Sequence, residues 1–446
     1  MKKTMSRSII SLILALLFLG GLGLLCFRYA VNNSEWANQT YNQYLYSRSG
    51  FTDAGTIYDR NGVILAESRD DKRFYHEDES TRMAMLHTVG DTAYNIEAAV
   101  QSHYSAKLNG HSGIFGYGLP DKLKPKGDVE VTLDSSVCKQ VYEAFEGKKG
   151  ACLVYNYKTG EVICMVSTPS YDIANEPEVI PDGAYLNNVI SSTYTPGSIF
   201  KMVTTVAALE NIPDIEERVF YCEGKKEFDG DDVTCLDSHG EMTLEEAFAR
   251  SCNIAFAELS TELGRDVMQK TAESLGITRS FSFDSVSTAK GHFELQDANF
   301  NELAWAGVGQ YTNMVNPAQM AILCGAVANG GEAALPYFVK GEKTELSGEL
   351  LDSETAEKLQ KIMRYTISDY YGDDMFYPLE VGAKTGTAET TADKESTAWI
   401  VGYSRNEECP LAFAVVVEEG GFGYYSAGPI AKIAMVESAK SLGFEG

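Results

Sequence analysis

The sequence predicts an α+β fold that follows a long apolar segment at the N-terminus. Strand-like runs occur at 150–172 and again at 380–419, whereas the chain between them has mainly helical periodicity. Strands at both ends of a region with helices between them are typical of an α+β domain in which early and late strands share one sheet. We therefore expect one sheet that is assembled from both ends of the region after residue 127.

The apolar segment is Ile9–Phe27, which is 19 residues long and carries no charge. As a helix it would be about 28 Å long, close to the ~30 Å hydrocarbon core of a bilayer. Lys2, Lys3 and Arg7 precede it, which predicts a single-pass anchor with a cytoplasmic N-terminus and an extracytoplasmic remainder. A cleaved signal peptide, a lipoprotein anchor at Cys26 and a buried core helix are the alternatives.

The residue pattern and composition of the remaining chain divide it into parts. The stretch 54–68 has the apolar alternation of a β-hairpin around a turn at Asp59–Gly62. The segment 119–128, rich in Pro and Lys, is typical of a domain boundary. We therefore predict four parts, namely a cytoplasmic tail at 1–8, a membrane anchor at 9–28, a small β-rich domain at 29–127 and a main domain at 128–446.

Charge and cysteine usage exclude several classes of protein. The net charge of −26 repels a phosphate backbone, so no nucleic-acid partner is expected. The nine cysteines include no C-x-x-C pair and the six histidines show no metal-ligand spacing, so neither a metal nor a cofactor is predicted. Cys222 and Cys235 bracket a polar loop, and two alternatives stay open for them, a disulfide or two free thiols.

A candidate nucleophile lies in the stretch YTPGSIFKM. Pro196 and Gly197 end a loop, and the helical period that follows places Ser198 at a helix N-terminus with Lys201 three residues later. Residues at i and i+3 share one helix face, so a neutral Lys201 amine could take the proton of the Ser198 hydroxyl. The alternative interpretation of this pattern is a capping serine beside a solvated lysine.

A second polar motif is Ser251-Cys252-Asn253. Ser251 can relay a proton between the lysine and an amine, and Asn253 can bind a substrate amide with both ends of its side chain. A helix cap or an ordinary polar face would give the same residues, and no partner histidine near Cys252 in the sequence favours that thiol as the nucleophile.

The triplet Lys-Thr-Gly occurs twice. The copy at Lys158–Gly160 joins two strand-like runs, so it is interpreted as a hairpin turn. The copy at Lys384–Gly386 begins a run of strands. There Lys384 and Thr385 would bind a substrate carboxylate, and Gly386 would let a substrate backbone lie alongside. The N–H of Thr387 would form an oxyanion hole with that of Ser198.

Three elements of the S-x-x-K, S-x-N, K-T-G type therefore occur in one order, with 53 and then 133 residues between their first members. With them come further stretches, including TIYDRNGVILA, HGEMTLEEAFARSCN and STAWIVGY. In these motifs the chain resembles class B penicillin-binding proteins, which are peptidoglycan D,D-transpeptidases, and in particular the short penicillin-binding protein A type.

The resemblance implies an antiparallel sheet with helices on both sides, a membrane anchor and a non-catalytic pedestal at 29–127. It implies that Ser198 is acylated by stem peptides ending in D-Ala-D-Ala and by β-lactams. It also implies that Lys201 is the base, Ser251 the proton relay and Asn253 a substrate ligand, with carboxylate contacts from Lys384 and Thr385. A glycosyltransferase of the SEDS family is the implied partner.

Two other functions remain possible at this point. One is a related serine hydrolase, either a D,D-carboxypeptidase or a β-lactamase, against which the anchor-plus-pedestal plan argues. The other is a non-catalytic scaffold or β-lactam sensor, which the intact set of polar motif residues disfavours. No room for a glycosyltransferase domain exists before residue 128, so a bifunctional enzyme is not expected.

Overall fold

The computed structural model describes residues 2–37, 51, 53–112, 119, 123, 125–284, 286–389 and 394–444. The chain separates into two compact units. The first is formed by Met1–Ile57, Ala66–Tyr75 and Val89–Val129, and the second by Tyr58–Leu65, His76–Thr88 and Glu130–Gly446. Parts of the predicted pedestal and of the predicted boundary at 119–128 lie outside the described residues. The predicted domain bounds therefore stay a prediction.

The N-terminal apolar segment forms helix α1 (Lys2–Ala37). Within the described part of the chain, its stretch Ser8–Asn32 is the one helix that is long and apolar enough to cross a membrane. Its large side chains are exposed, with Leu17 67% and Phe18 72% accessible, so the segment is not a buried core helix. An exposed apolar helix of this length supports single-pass membrane anchoring.

The next elements are short. They are β1 (Ile57–Tyr58), β2 (Ile64–Arg69), β3 (Lys72–Tyr75), α2 (Glu79–Val89), α3 (Val100–His103), α4 (Ser105–Leu108) and β4 (Val129–Glu130), and the strand order is β3-β2-β1-β4. The predicted hairpin is confirmed. Its turn is closed by Asp59, whose carbonyl accepts from Gly62 N–H at 3.1 Å and whose carboxylate accepts from the amides of Asn61 and Val63.

The second unit contains most of the regular structure. Its first half holds α5 (Ser135–Ala144), β5 (Gly150–Asn156), β6 (Val162–Thr168), α6 (Asn188–Ser191), α7 (Lys201–Asn211), β7 (Phe220–Cys222), β8 (Lys225–Phe228), β9 (Asp231–Thr234), β10 (Gly240–Met242), α8 (Leu244–Ala249) and α9 (Asn253–Ser274). Its second half holds β11 (Ser282–Phe283), β12 (Val286–Ser287), α10 (Phe300–Val308), α11 (Pro317–Ala328), α12 (Ser353–Tyr365), β13 (Val381–Ala388), β14 (Thr397–Ser404), β15 (Leu411–Val417) and α13 (Gly423–Ser441).

One antiparallel sheet joins the early and the late strands, as the sequence predicts. Its order is β13-β14-β15-β5-β6, and β15 pairs with β5 so that Leu411 lies opposite Asn156 and Val417 opposite Gly150. Every residue of β14 and β15 is buried. Because successive side chains of a strand point to opposite faces, both faces of the sheet are covered, and α11 and α13 pack against it.

Side-chain caps fix where several of these helices begin. The Asp134 carboxylate accepts from the amides of Ser136 and Val137 at the start of α5. Asn316 caps α11 through a reciprocal pair of bonds with Gln319, and Pro317 at the first helical position supplies a φ that suits the helix. These caps satisfy N–H groups that have no partner within the helix.

One helical prediction is wrong, and the error lies at the second polar motif. The period of 242–264 predicts a continuous helix, but α8 ends at Ala249 and α9 begins at Asn253. Between them Ser251 adopts a φ of +56°, a conformation that costs of order 1–3 kcal/mol for a residue with a side chain. The chain is therefore bent at the second polar motif.

The early Lys-Thr-Gly copy is a turn, as predicted. It links β5 to β6, and the Asn156 side chain accepts from the amides of Lys158 and Thr159. Gly160 has a φ of +91°, which a glycine adopts without strain, and its amide donates to Asn156 O at 2.8 Å. This triplet thus builds the hairpin of two sheet strands.

Candidate active site

Ser198 lies on a 3₁₀ turn (Gly197–Phe200) that runs directly into α7, so Lys201 is the first residue of that helix. The Lys201 Nζ atom is 2.9 Å from Ser198 Oγ. This distance is within the hydrogen-bond reach that a general base needs toward its nucleophile. The predicted pair is therefore brought together.

The Lys201 side chain is fully buried and makes several polar contacts. Its Nζ atom donates to Ser251 O at 2.7 Å and to Asn253 Oδ1 at 2.8 Å, and it lies 3.2 Å from Ser251 Oγ. It also lies 5.5 Å from the centre of the Phe256 ring. Burial disfavours the charged ammonium and lowers the pKa of Lys201 to about 7. The amine can therefore accept a proton near neutral pH.

Ser251 lies between two lysines. Its Oγ atom is 3.2 Å from Lys201 Nζ and 3.0 Å from Lys384 Nζ. A hydroxyl can accept one proton and donate another, so this oxygen can connect the two amines. The left-handed backbone at Ser251 holds the hydroxyl there, which explains why the helix is interrupted at this residue.

Asn253, the third residue of the same motif, is engaged by the protein at both ends. Its Oδ1 atom accepts from Lys201 Nζ at 2.8 Å, and its Nδ2 atom donates to Thr234 O at 2.8 Å. The sequence predicts that both ends bind a substrate amide. In this structure the two ends contact Lys201 and the end of β9, so the side chain also positions the lysine, and its binding of a substrate amide stays a prediction.

Lys384 is buried on β13, the edge strand of the sheet. Its Nζ atom donates to Ser251 Oγ at 3.0 Å and to Thr385 O at 2.9 Å, and it lies 5.5 Å from the centre of the Phe248 ring. Burial, and then the charge of Lys201, lower the pKa of Lys384 well below its usual value. The two buried ammonium groups thus disfavour each other.

The Thr385 hydroxyl contacts a tyrosine, Tyr371, that was not predicted from the sequence. The hydroxyls of Thr385 and Tyr371 are 2.7 Å apart, and burial raises the pKa of Tyr371 to about 12. Tyr371 ends a π-helical segment after α12, and its ring stacks on Tyr424 at 4.7 Å between centres. No sequence pattern marks this tyrosine, because the contact joins two segments that meet only in the folded chain.

Gly386 lies against the turn that carries Ser198, and its predicted role of letting a substrate backbone lie alongside stays a prediction. A Cβ atom there would lie 2.9 Å from Ile199 Cγ2 and 2.9 Å from Pro196 O, so it would collide with the turn that carries Ser198. From the other side, a Cβ on Gly197 (φ +53°) would lie 2.4 Å from Thr387 O. The glycines let the turn Gly197–Phe200, here called the nucleophile turn after its predicted nucleophile, and β13 approach each other closely.

The close approach of Gly197 and Thr387 also brings the residue after Gly197, Ser198, beside the strand. The Thr387 side chain is half-buried, and its Oγ1 atom accepts from the amide of Gly423 at 3.4 Å. The predicted pairing of the Ser198 and Thr387 amides as an oxyanion hole stays a prediction.

A cluster of metal-ligating side chains adjoins the second motif, and the sequence analysis missed it. Three thiols and one imidazole, each with a ligand atom within 4.8 Å of the others, come together from Cys222, Cys235, His239 and Cys252. In the described residues Cys222 and Cys235 form no disulfide, so the free-thiol alternative holds there. The spacing C-x12-C-x3-H-x12-C would have been the available signal.

This geometry defines a class of protein. A serine hydroxyl beside a buried amine of lowered pKa, with a second hydroxyl bridging to another lysine, suits acyl transfer through a covalent serine intermediate. The site lies against the edge strand of an antiparallel sheet. The fold and the side chains together are those of a serine acyltransferase with a lysine base.

Comparison with known proteins specifies the class. Residues 150–436 match the family described as penicillin binding protein transpeptidase domain. A relative from Mycolicibacterium smegmatis, named Peptidoglycan D,D-transpeptidase PbpA, is 27% identical over 71% of this chain and 73% of its own. Stage V sporulation protein D of Bacillus subtilis is 27% identical over 77% of this chain and 60% of its own.

Solved structures agree with this match. The D,D-transpeptidase domain of a peptidoglycan glycosyltransferase from Eggerthella lenta superposes with a TM-score of 0.72 at 25% identity, covering 87% of this chain and 99% of that one. Penicillin-binding protein A from M. tuberculosis shares the fold, with a TM-score of 0.76 at 23% identity over 87% of this chain and 99% of that one. The chain belongs to the penicillin-binding protein transpeptidase family, and within it resembles the class B proteins of the PbpA type.

Proposed function

We propose that the protein is a peptidoglycan D,D-transpeptidase that cross-links stem peptides through an acyl-enzyme on Ser198. The single observation that carries the assignment of the nucleophile is the 2.9 Å contact between Ser198 Oγ and the fully buried Lys201 Nζ. Relatives named peptidoglycan D,D-transpeptidase support the reaction class.

In the first half-reaction Ser198 Oγ attacks the carbonyl carbon between the two terminal D-Ala residues. Neutral Lys201 accepts the hydroxyl proton as the new C–O bond forms. The C–N bond then breaks, and Ser251 passes a proton to the departing amine of the last D-Ala. The N–H groups of Ser198 and Thr387 stabilise the oxyanion between these two events.

Lys384 and Thr385 receive the carboxylate of that last D-Ala. Without substrate, burial keeps the pKa of Lys384 low. An arriving carboxylate favours the ammonium form by direct charge pairing. A charged Lys384 in turn favours a neutral Lys201, because two ammonium groups that share Ser251 repel each other. Substrate binding thereby increases the fraction of Lys201 that is neutral and able to accept a proton.

The second half-reaction reverses the roles. An amine of a neighbouring stem peptide attacks the acyl carbon and loses its proton through Ser251 and Lys201, and Ser198 Oγ leaves with a proton restored. A cross-link forms and the free enzyme returns. β-Lactams acylate the same oxygen, and their acyl-enzyme persists because no amine resolves it.

The N-terminal helix supports the proposed cellular arrangement. The positive residues Lys2, Lys3 and Arg7 before the apolar stretch favour a cytoplasmic N-terminus and an extracytoplasmic catalytic domain. The region 29–127 serves as a non-catalytic pedestal. A SEDS-family glycosyltransferase supplies the glycan strands. Fusion of a reporter to either end of the chain tests the orientation.

The test of the nucleophile is covalent labelling by a fluorescent penicillin, followed by mapping of the labelled peptide. Ser198→Ala should abolish the label while the protein stays folded and membrane-bound. A persistent label on that variant would reject the nucleophile. Rapid release of the label from the wild type would instead indicate a β-lactamase, and hydrolysis without amine transfer on a stem-peptide substrate a D,D-carboxypeptidase.

A further inference from the structure

The metal-ligating residues beside the second motif come from four separate segments of the second unit. We call them the Cys3His cluster: Cys222 at the end of β7, Cys235 directly after β9, His239 directly before β10, and Cys252 at the start of α9. Two of these segments are held together by pairing of β7 with β10, which places Gly240 opposite Cys222. The fold thus converges on this point from several directions.

The distances within the Cys3His cluster fit a tetrahedral zinc ion. The Cys235 and Cys252 Sγ atoms are 3.8 Å apart, and Cys235 Sγ is 3.5 Å from His239 Nδ1. With Zn–S bonds of about 2.3 Å and a Zn–N bond of about 2.05 Å, tetrahedral angles require separations of about 3.8 Å and about 3.5 Å. A disulfide would instead require about 2.05 Å between the two sulfurs.

Backbone amides surround the sulfur atoms as they do in metal–thiolate sites. The amide of Asn253 donates to Cys235 Sγ at 3.1 Å, that of Gly224 to Cys222 Sγ at 3.4 Å, and that of Ala255 to Cys252 Sγ at 3.5 Å. Such donors favour a thiolate over a thiol and orient the ligands. Packing of neutral cysteines in a core requires none of them.

We propose that the Cys3His cluster is a structural zinc site. Three sulfurs and one ring nitrogen fill the four positions of Zn²⁺, so the ion is closed to substrate and plays no part in the chemistry. Each cysteine binds as a thiolate and releases its proton to solvent on metal binding. A soft, sulfur-rich set of ligands selects zinc over magnesium or calcium.

The site also has a consequence for the second motif, and this part rests on the proposed function. Cys252 is the residue between Ser251 and Asn253, and the side chain of Asn253 is tied to Thr234, which precedes Cys235. An ion that joins Cys235 to Cys252 therefore fixes the two residues that directly follow the strained Ser251. The metal acts as a positioning element for the proton relay.

The first experiment measures metal in the full-length protein, purified in detergent with a thiol reductant. Wild-type protein should carry about one zinc per chain by elemental mass spectrometry. Cys222→Ser and His239→Ala should lose most of that zinc, whereas Cys26→Ser, which removes an exposed thiol outside the Cys3His cluster, should keep it. Wild-type protein that holds no zinc and takes up none when Zn²⁺ is added would overturn the proposal.

Two further measurements address the case in which a variant fails to fold and the case in which the protein is oxidised. Chelator-treated wild type should bind Co²⁺ with the absorption of a thiolate-ligated tetrahedral ion, and absence of that absorption would contradict the site. Intact mass under non-reducing conditions reports oxidation. A Cys235–Cys252 disulfide, two mass units lighter, in metal-free protein that is competent for penicillin labelling would show that these thiols serve as a redox pair instead.

The metal site and the proposed function can fail separately. Ser198→Ala should keep its zinc and lose its penicillin label. Protein with zinc but without label in the wild type would reject the function and leave the site. Zinc removal from the wild type should slow labelling at least tenfold and its return should restore it. Unchanged labelling after zinc removal would reject the positioning role alone.

Discussion

The base assigned here predicts a specific pH dependence of acylation. At its ordinary pKa of about 10.4 a lysine is neutral in less than about 0.1% of molecules at pH 7. Burial lowers the pKa of Lys201 to about 7, so about half of the molecules carry the neutral amine at that pH. Burial thereby raises the population of competent base about 10³-fold at neutral pH.

Only the neutral form of Lys201 can accept a proton, so the acylation rate should increase with the neutral fraction. Acylation should rise as pH increases through about 7 and then level off, with about a tenfold increase between pH 6 and pH 8. The assay is the second-order rate constant for reaction with a fluorescent penicillin from pH 5.5 to pH 9, with thermal unfolding followed in parallel to confirm that the fold persists. Because Lys384 is coupled through Ser251, the inflection belongs to the pair.

Two variants serve as controls for the pH profile of acylation. Lys158→Ala, which removes an exposed lysine of the early triplet, should leave the profile unchanged. Lys201→Arg should remove the rising limb together with the activity, since a guanidinium stays protonated. A wild-type rate constant that is flat from pH 6 to pH 8, or that rises only near pH 10, would refute the argument that burial makes Lys201 the base.

Three further predictions concern the same site. Lys384→Ala should slow penicillin labelling by about 10²-fold or more, whereas Lys158→Ala should not; equal effects of the two would contradict the choice between the triplets. Gly386→Ala should slow labelling, because its Cβ meets the nucleophile turn, and should lower the free energy of unfolding by about 1–3 kcal/mol. Gly382→Ala, on the same strand but against Tyr403, is its control, and it should destabilise the protein without a comparable loss of labelling. Finally, the folded-state pKa of Lys201 lies below its unfolded value, so unfolding takes up protons and the wild type gains stability with rising pH between about 7 and 10. Relative to Lys201→Met, wild-type protein should gain about 2 kcal/mol from pH 7 to pH 9 in chemical unfolding, and no gain would show that the lysine is not held neutral.

Features of the fold that depend on residues close together in the chain could be predicted from the sequence. The strand-like pattern at 380–419 predicted the strands β13–β15, because this signal acts within a few residues. The sharing of one sheet by early and late strands also followed, since strands at both ends of a region need a common partner. The i, i+3 spacing brought Ser198 and Lys201 together for the same local reason.

The parts that could not be predicted depend on distances across the fold. The role of Gly386 depends on how closely the nucleophile turn packs on β13, and periodicity carries no information about that approach. The break at Ser251 has no Gly or Pro to mark it. Convergence of the Cys3His cluster required β7 and β10 to pair, and the spacing C-x12-C-x3-H-x12-C does not by itself show that its four residues meet.

The departures from ordinary folding rules cluster at one place, and this is itself evidence about function. Lys201 and Lys384 are fully buried, and within the described part of the chain neither has an ion-pair partner. A buried unpaired amine destabilises a fold, so packing alone does not explain it. Ser251, which connects the two amines, adds backbone strain.

The burial of the two amines and the strain at Ser251 are both explained if Lys201 and Lys384 act together to move one proton. Removing water lowers the pKa of each amine, and the shared hydroxyl lets protonation of one favour the neutral form of the other. A site of solvated lysines would be more stable but would hold two positive charges and no base at pH 7. On the proposed mechanism, the same burial that weakens the fold supplies the base, and the proposed zinc site would hold the residues that follow the strained backbone of Ser251.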